Sequence, residues 1–248
     1  MTPSPDCWLQ GPEWAGVRIV TTMRRRPGAG WEDFNLALHT VSDPTAVLAN
    51  RRQLRNSLPQ EPRWLTQVHG AKVHDADAPQ DEAAPSADAA ITQRSDRVLA
   101  ILTADCLPVV IVGTKGEILG IAHAGWRGLA NGVLEETLAA LRARVPARVG
   151  WRAWIGPAIR QKSYRVGAEV RQAFVATDPG AEVHFLPQAS QKWLADLPGL
   201  ARRRLERAGV DEVLDCGRCT FSESSLFYSY RRDGTPGRQA TLAWLTTR

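Results

Sequence analysis

Three side chains with metal-ligand chemistry stand at the ends of apolar runs: His69, Cys106 and His123. Imidazole and thiolate are donors that zinc favours, and three of them leave the fourth tetrahedral position to water or substrate. No local motif joins them, since 37 positions separate His69 from Cys106 and 17 separate Cys106 from His123. Each taken alone also suits a buried structural role. Cys106 has a second functional reading, as a nucleophile activated by His69 or His123 acting as base. Asp105, beside it, either orients a histidine or simply ends a strand in a polar turn; the residue types do not separate the two.

The elements that must hold these side chains surround them. Val98–Leu102 and Leu107–Val112 are buried-strand runs broken by Thr103-Ala104-Asp105-Cys106, and Ile118–Ala122 is a third that stops at His123. Arg63–Val68 reads as a strand leading into His69 and Gly70. Ala124-Gly125-Trp126-Arg127-Gly128 opens a helix directly after a strand, where free amides and Arg127 would make an anion site. A glycine turn with Trp126 in the core fits the same letters. Tyr228–Gly234 reads as a strand entering a turn, from which Arg231 or Arg232 could reach that anion.

Around this centre, Val17–Thr22 is an expected strand, and Ser42-Asp43-Pro44 caps a helix through about Leu54. Leu129, Val133, Leu134, Leu138 and Leu141 share one face of a helix over 128–141. Ala153–Pro157 suggests a strand and turn, 166–176 a helix, and 191–208 a basic helix kinked at Pro198-Gly199. Val213–Leu214, Leu226–Tyr230 and Ala240–Leu245 are expected late strands. Without a regular βαβ alternation, the pattern implies the α+β class: one domain over residues 1–248, its mixed or antiparallel sheets flanked by helices.

The 248 residues are 44% hydrophobic and 23% charged, enough for a sizeable core, and carry a net charge of +5. That balance suits an anionic substrate or phosphate and is too small to require nucleic acid. Arg24-Arg25-Arg26 and Arg202-Arg203-Arg204 read as solvated faces. Four cysteines do not make a disulfide framework, and Cys216-Gly-Arg-Cys219, lacking a second ligand pair, reads as structural thiols. With no signal-peptide pattern and no membrane-length apolar run, a cytoplasmic location is expected. Nothing in the letters indicates an oligomeric state.

Several blocks occur in series: Thr66-Gln67-Val68-His69-Gly70, Thr103–Pro108, His123–Gly128, Ile155–Ile159 and Phe227–Gly234. Together, from about Thr21 to the C-terminus, they resemble the family once labelled multicopper polyphenol oxidase or laccase-domain protein. That family is now usually described as purine nucleoside phosphorylases of the YfiH and FAMIN type. The resemblance implies a mixed α/β sandwich with zinc held at the positions of His69, Cys106 and His123. It also implies phosphorolysis of adenosine, inosine, guanosine and methylthioadenosine, with adenosine deamination besides. Arg127 is the residue expected to meet the phosphate. Two departures stand out. Met23 replaces the arginine of a common Thr-Thr-Arg pattern, so Arg24 or Arg25 would substitute, and Lys162-Ser163-Tyr164-Arg165 is more basic than in many relatives. Rival readings are a Cys–His hydrolase or amidase acting on cell-wall precursors, to which relatives have been connected, and a copper oxidase. The copper reading is opposed by only two methionines and five histidines. A basic nucleic-acid binder has charge alone to support it.

Overall fold

The computed structural model describes residues 8–24, 34–40, 42–79, 83–234 and 237–246. The chain opens with strands Trp8–Gln10 (β1) and Val17–Thr22 (β2), then helix Pro44–Arg55 (α1). Asp43 starts that helix as expected: its carboxylate accepts from the Thr45 amide at 3.0 Å, and Pro44 sits in the first turn. Strands Pro62–Arg63 (β3), Val73–Asp75 (β4), Ala89–Thr92 (β5), Val98–Thr103 (β6), Leu107–Gly113 (β7) and Leu119–Ala124 (β8) follow. Next come helices Trp126–Ala130 (α2) and Val133–Arg142 (α3), strands Trp151–Ile155 (β9) and Arg165–Val166 (β10), and helix Ala168–Val175 (α4). The last part holds Phe185–Gln188 (β11), Lys192–Ala195 (β12), helix Leu197–Arg207 (α5), Glu212–Asp215 (β13), the short helix Tyr230–Asp233 (α6) and Gln239–Leu245 (β14).

Two mixed sheets form the frame, in the orders β1-β2-β14-β6-β3 and β13-β9-β7-β8-β5-β4. Most neighbours are antiparallel, with parallel pairs at β3–β6, β9–β13 and β4–β5. Alternation along the strands decides the layers. Ile19, Leu99, Ile101 and Ala243 meet Val110, Val112, Leu119 and Ile121 in a core between the sheets. The outer face of the first sheet packs on Phe34, Leu36 and Leu54. The opposite face of the second packs on Leu134, Leu138, Phe174, Leu200 and Leu205 of α3, α4 and α5. The expected α+β sandwich flanked by helices is therefore present.

Several elements differ from the sequence expectations. The helix expected over 128–141 is split, because Gly132 takes φ 89°, a left-handed conformation open to glycine, and ends α2 after five residues. The basic helix expected over 191–208 begins as strand β12; α5 starts only behind Asp196. Pro198 lies in the first turn, where it costs no hydrogen bond and makes no kink. Leu226–Tyr230 is not a strand: Ser229 caps α6, accepting from the Arg232 amide at 3.2 Å. Of the strand expected over 63–68, only Pro62–Arg63 pairs with β6; Thr66 makes an isolated bridge to Ser86.

Candidate metal centre

The β7–β8 ladder sets one half of the centre. Leu107 pairs with Ala124 and Pro108 with His123, so continuing the register one step puts Cys106 opposite Gly125. A Cβ on Gly125 would lie 2.9 Å from Cys106 Sγ and 3.1 Å from His69 Cδ2, so only glycine fits where strand becomes helix. His69 arrives from a loop, at φ 59°. That strained turn is wrapped around one carboxylate: Asp88 accepts from the amides of Val68 (3.1 Å), His69 (2.9 Å) and Gly70 (2.7 Å). The same carboxylate meets His123 Nδ1 at 2.8 Å.

One atom each of His69, Cys106 and His123 lies within 4.8 Å of the others. That span is close to twice a zinc–ligand bond of about 2.0–2.3 Å, and the donor types are those zinc prefers. The His69 and His123 rings meet edge-on, with centroids 4.8 Å apart. The residues present therefore fit a metal ion. Burial alone would raise the Cys106 pKa, but the neighbouring His123 charge and hydrogen bonds from His123 and His69 bring it down to about 6. Burial would likewise lower His123; the Cys106 thiolate and Asp88 outweigh it and push it up to about 9. Asp88 is itself fully buried; His123 and the Gly70 and Val68 amides overcome that burial and keep its pKa below the usual carboxylate value.

The three side chains border a cavity of about 480 Å³, whose wall also includes His39, Gln67, Trp126, Arg127, Tyr164, Arg231 and Arg238. Arg127 stands in the wall with its guanidinium 4.4 Å from the Trp126 ring centroid. Because α2 has five residues, a helix dipole adds little, and the positive charge there is the arginine's own. Of the two later arginines, Arg231 faces the cavity. Arg232 turns away to donate to the Thr220, Phe221 and Phe227 carbonyls. Asp105 orients no histidine: φ 95° aims its carboxylate at Thr220 Oγ1 (2.6 Å), Ser229 Oγ (3.0 Å) and the Arg231 amide (2.7 Å). It pins the C-terminal loop to the centre.

Arg24, a candidate substitute for the missing arginine, pairs with Asp233 at 3.4 Å and lies outside the cavity wall; Arg25 lies outside the described residues. Arg202, Arg203 and Arg204 pair with Glu206, Asp178 and Glu135 and are half-buried, not the fully solvated face expected. Cys216 and Cys219 are free thiols apart from the cavity wall, and His184 pairs with Asp196. Sequence reasoning missed Asp88 altogether. Its one signal is an acid placed immediately before the fully buried run Ala89–Thr92.

With this geometry, residues 18–246 match the family model described as "Multi-copper polyphenol oxidoreductase laccase". The chain belongs to this family. Among curated relatives, a purine nucleoside phosphorylase of Xylella fastidiosa is 44% identical over 255 residues, covering 96% of this chain and 97% of that protein. Purine nucleoside phosphorylase YfiH of Escherichia coli is 43% identical over 217 residues, covering 87% of each. A Neisseria meningitidis crystal structure superposes with TM-score 0.89 at 38% identity, over 97% of this chain and all of that one. YlmD of Geobacillus stearothermophilus superposes with TM-score 0.86 at 29% identity, over 98% of each. The laccase-family match agrees with the resemblance read from the motif blocks. Among the described residues no helix is long and apolar enough to cross a membrane.

Proposed function

We propose that this laccase-family chain is a zinc-dependent purine nucleoside phosphorylase, acting as one domain in the cytoplasm. Its expected substrates are adenosine, inosine, guanosine or methylthioadenosine with inorganic phosphate, and its products the base and a pentose 1-phosphate. Adenosine deamination is proposed as a companion activity. The observation that carries the reading is the convergence of His69, Cys106 and His123 on a cavity shared with Arg127 and Arg231, in a chain 44% identical to a protein of that name.

His69, Cys106 and His123 would hold the ion. When bound, it supplies Lewis-acid polarisation at one open position, to a phosphate oxygen for phosphorolysis or to water for deamination. Asp88 fixes the His123 tautomer: Nδ1–H donates to the carboxylate, which leaves the Nε2 lone pair for the centre. Arg127 and Arg231 bring positive charge to the phosphate. The carboxylate in the described wall belongs to Asp105 and accepts from Thr220, Ser229 and the Arg231 amide, not from either guanidinium. Trp126 and Tyr230 give flat surface against which a purine can rest. Among the described residues no methionine stands in the wall, which supports zinc over a blue-copper centre with its axial Met.

One arrangement favours the runner-up, a Cys–His hydrolase or amidase. Cys106, His123 and Asp88 line up as nucleophile, base and orienting acid. Two experiments separate the readings. Adenosine incubated with and without phosphate should give adenine plus ribose 1-phosphate only when phosphate is present, and inosine in either case; no product at all defeats the phosphorylase reading. An electrophile that labels Cys106 equally with and without chelator would favour the hydrolase, because a zinc thiolate is shielded until metal is removed.

A further inference from the structure

Tyr164 and Tyr230 both bring a phenol to the cavity wall, and of the two Tyr164 is the buried one. Tyr164 is 9% exposed and borders the cavity. Its backbone is tied on both sides: the amide donates to the Gln161 carbonyl at 3.1 Å, and the carbonyl accepts from the Ala195 amide at 3.0 Å. Arg231 lies over the ring, its guanidinium carbon 5.2 Å from the centroid. That arginine is held in turn by the Arg165 carbonyl at 2.6 Å and by Asp105, which accepts from its amide at 2.7 Å. Among the described residues, no group hydrogen-bonds the Tyr164 hydroxyl. The residue borders a space whose lining includes Arg127 and Arg231, so a polar guest there can meet the hydroxyl.

We propose that the Tyr164 hydroxyl donates a hydrogen bond to the inorganic phosphate taken up by the cavity, as a third phosphate contact beside Arg127 and Arg231. The inference rests on the phosphorylase reading and names who holds its second substrate. A phenol suits the task for two reasons. Neutral O–H donation to a phosphate oxygen is charge-assisted, and the ring's rigidity, fixed beneath Arg231, holds the donor in place without ordering a flexible chain. The fragment Lys162-Ser163-Tyr164-Arg165 thereby contributes its tyrosine to the cavity, while Arg165 lies exposed.

Tyr164→Phe keeps the ring and its packing and removes the one donor. Titration calorimetry of the zinc-loaded wild type with inorganic phosphate alone, then of the variant, reads the contact without any turnover. Phosphate affinity and the KM for phosphate should weaken about tenfold, with the KM for adenosine, phosphate-independent deamination, zinc content and Tm unchanged. Wild-type affinity in the variant, or a loss shared equally by adenosine and phosphate, would overturn the proposal and leave Tyr164 a packing residue. A wild type that binds no phosphate overturns it as well. A wild type that binds phosphate in a Tyr164-dependent way yet makes no ribose 1-phosphate would sink the phosphorylase reading while leaving the anion contact standing.

Discussion

Asp88 and His123 are joined at 2.8 Å, both buried, and the same carboxylate closes the backbone turn that presents His69. One acid therefore sets two candidate ligands, one through its ring and one through its main chain. Asp88→Asn keeps the shape but removes the charge and cannot accept from all four donors. Zinc affinity should fall about 10–100-fold, measured by competition with a chromogenic chelator. Unchanged affinity would mean the carboxylate only folds the loop.

Cys106→Ala should reduce metal content from about one zinc per chain to a small fraction of that, with the circular dichroism spectrum preserved. The site lies at the end of strands whose cores are built elsewhere, so the fold should survive. Full zinc occupancy in the variant, or full activity in metal-free wild type, would defeat the three-ligand centre.

Gly125→Ala tests how tightly the centre is closed. The added methyl meets sulfur at 2.9 Å and must displace Cys106 or His69. The expected cost is about 1–3 kcal/mol in urea unfolding, together with weakened zinc binding. A variant with wild-type stability and metal content would show that the loop bearing His69 yields freely.

Arg127→Ala should raise the KM for phosphate by roughly tenfold, with deamination much less affected, because water brings no dianion to the cavity. Initial rates at varied phosphate, and then without it, make the comparison. Equal loss of both activities would count against a phosphate role.

Asp196 gives a pH-dependent stability away from the centre. Burial tends to raise its pKa, but His184 and the Gly199 amide outweigh that and hold it below the ordinary value. Between the folded and unfolded values the unfolded chain binds more protons, so the stabilisation is present above about pH 4 and is lost as pH falls through the folded value. Asp196→Ala should cost about 1 kcal/mol at neutral pH through loss of the α5 cap. The difference from wild type should shrink in urea titrations toward pH 3, and a constant difference across that range would refute the assignment.

The strands β6, β7 and β8 were legible because each is an unbroken apolar run with a sharp polar end, and those ends carry Cys106 and His123. The α5 region misled because the stretch 191–208 reads as one basic helix, while Lys192–Ala195 at its start is captured by β10 and β11. Leu226–Tyr230 misled for a related reason: Phe227 and Tyr228 are buried, but the segment donates to Gln239 and Asp105 side chains rather than to a ladder.

What the amino-acid order determined by itself is the chemistry available: two imidazoles and one thiol, an arginine one turn beyond His123, and a run of blocks shared with a family. Residue type and apolar period are local quantities, and they survive without knowing where the chain goes. Tertiary structure alone decided which acid serves the centre, choosing Asp88 over the adjacent Asp105, and which arginine enters the cavity, choosing Arg231 over Arg232. Those choices depend on strand register and on the φ values at His69 and Asp105, where a one-residue slip would send each side chain to the opposite face.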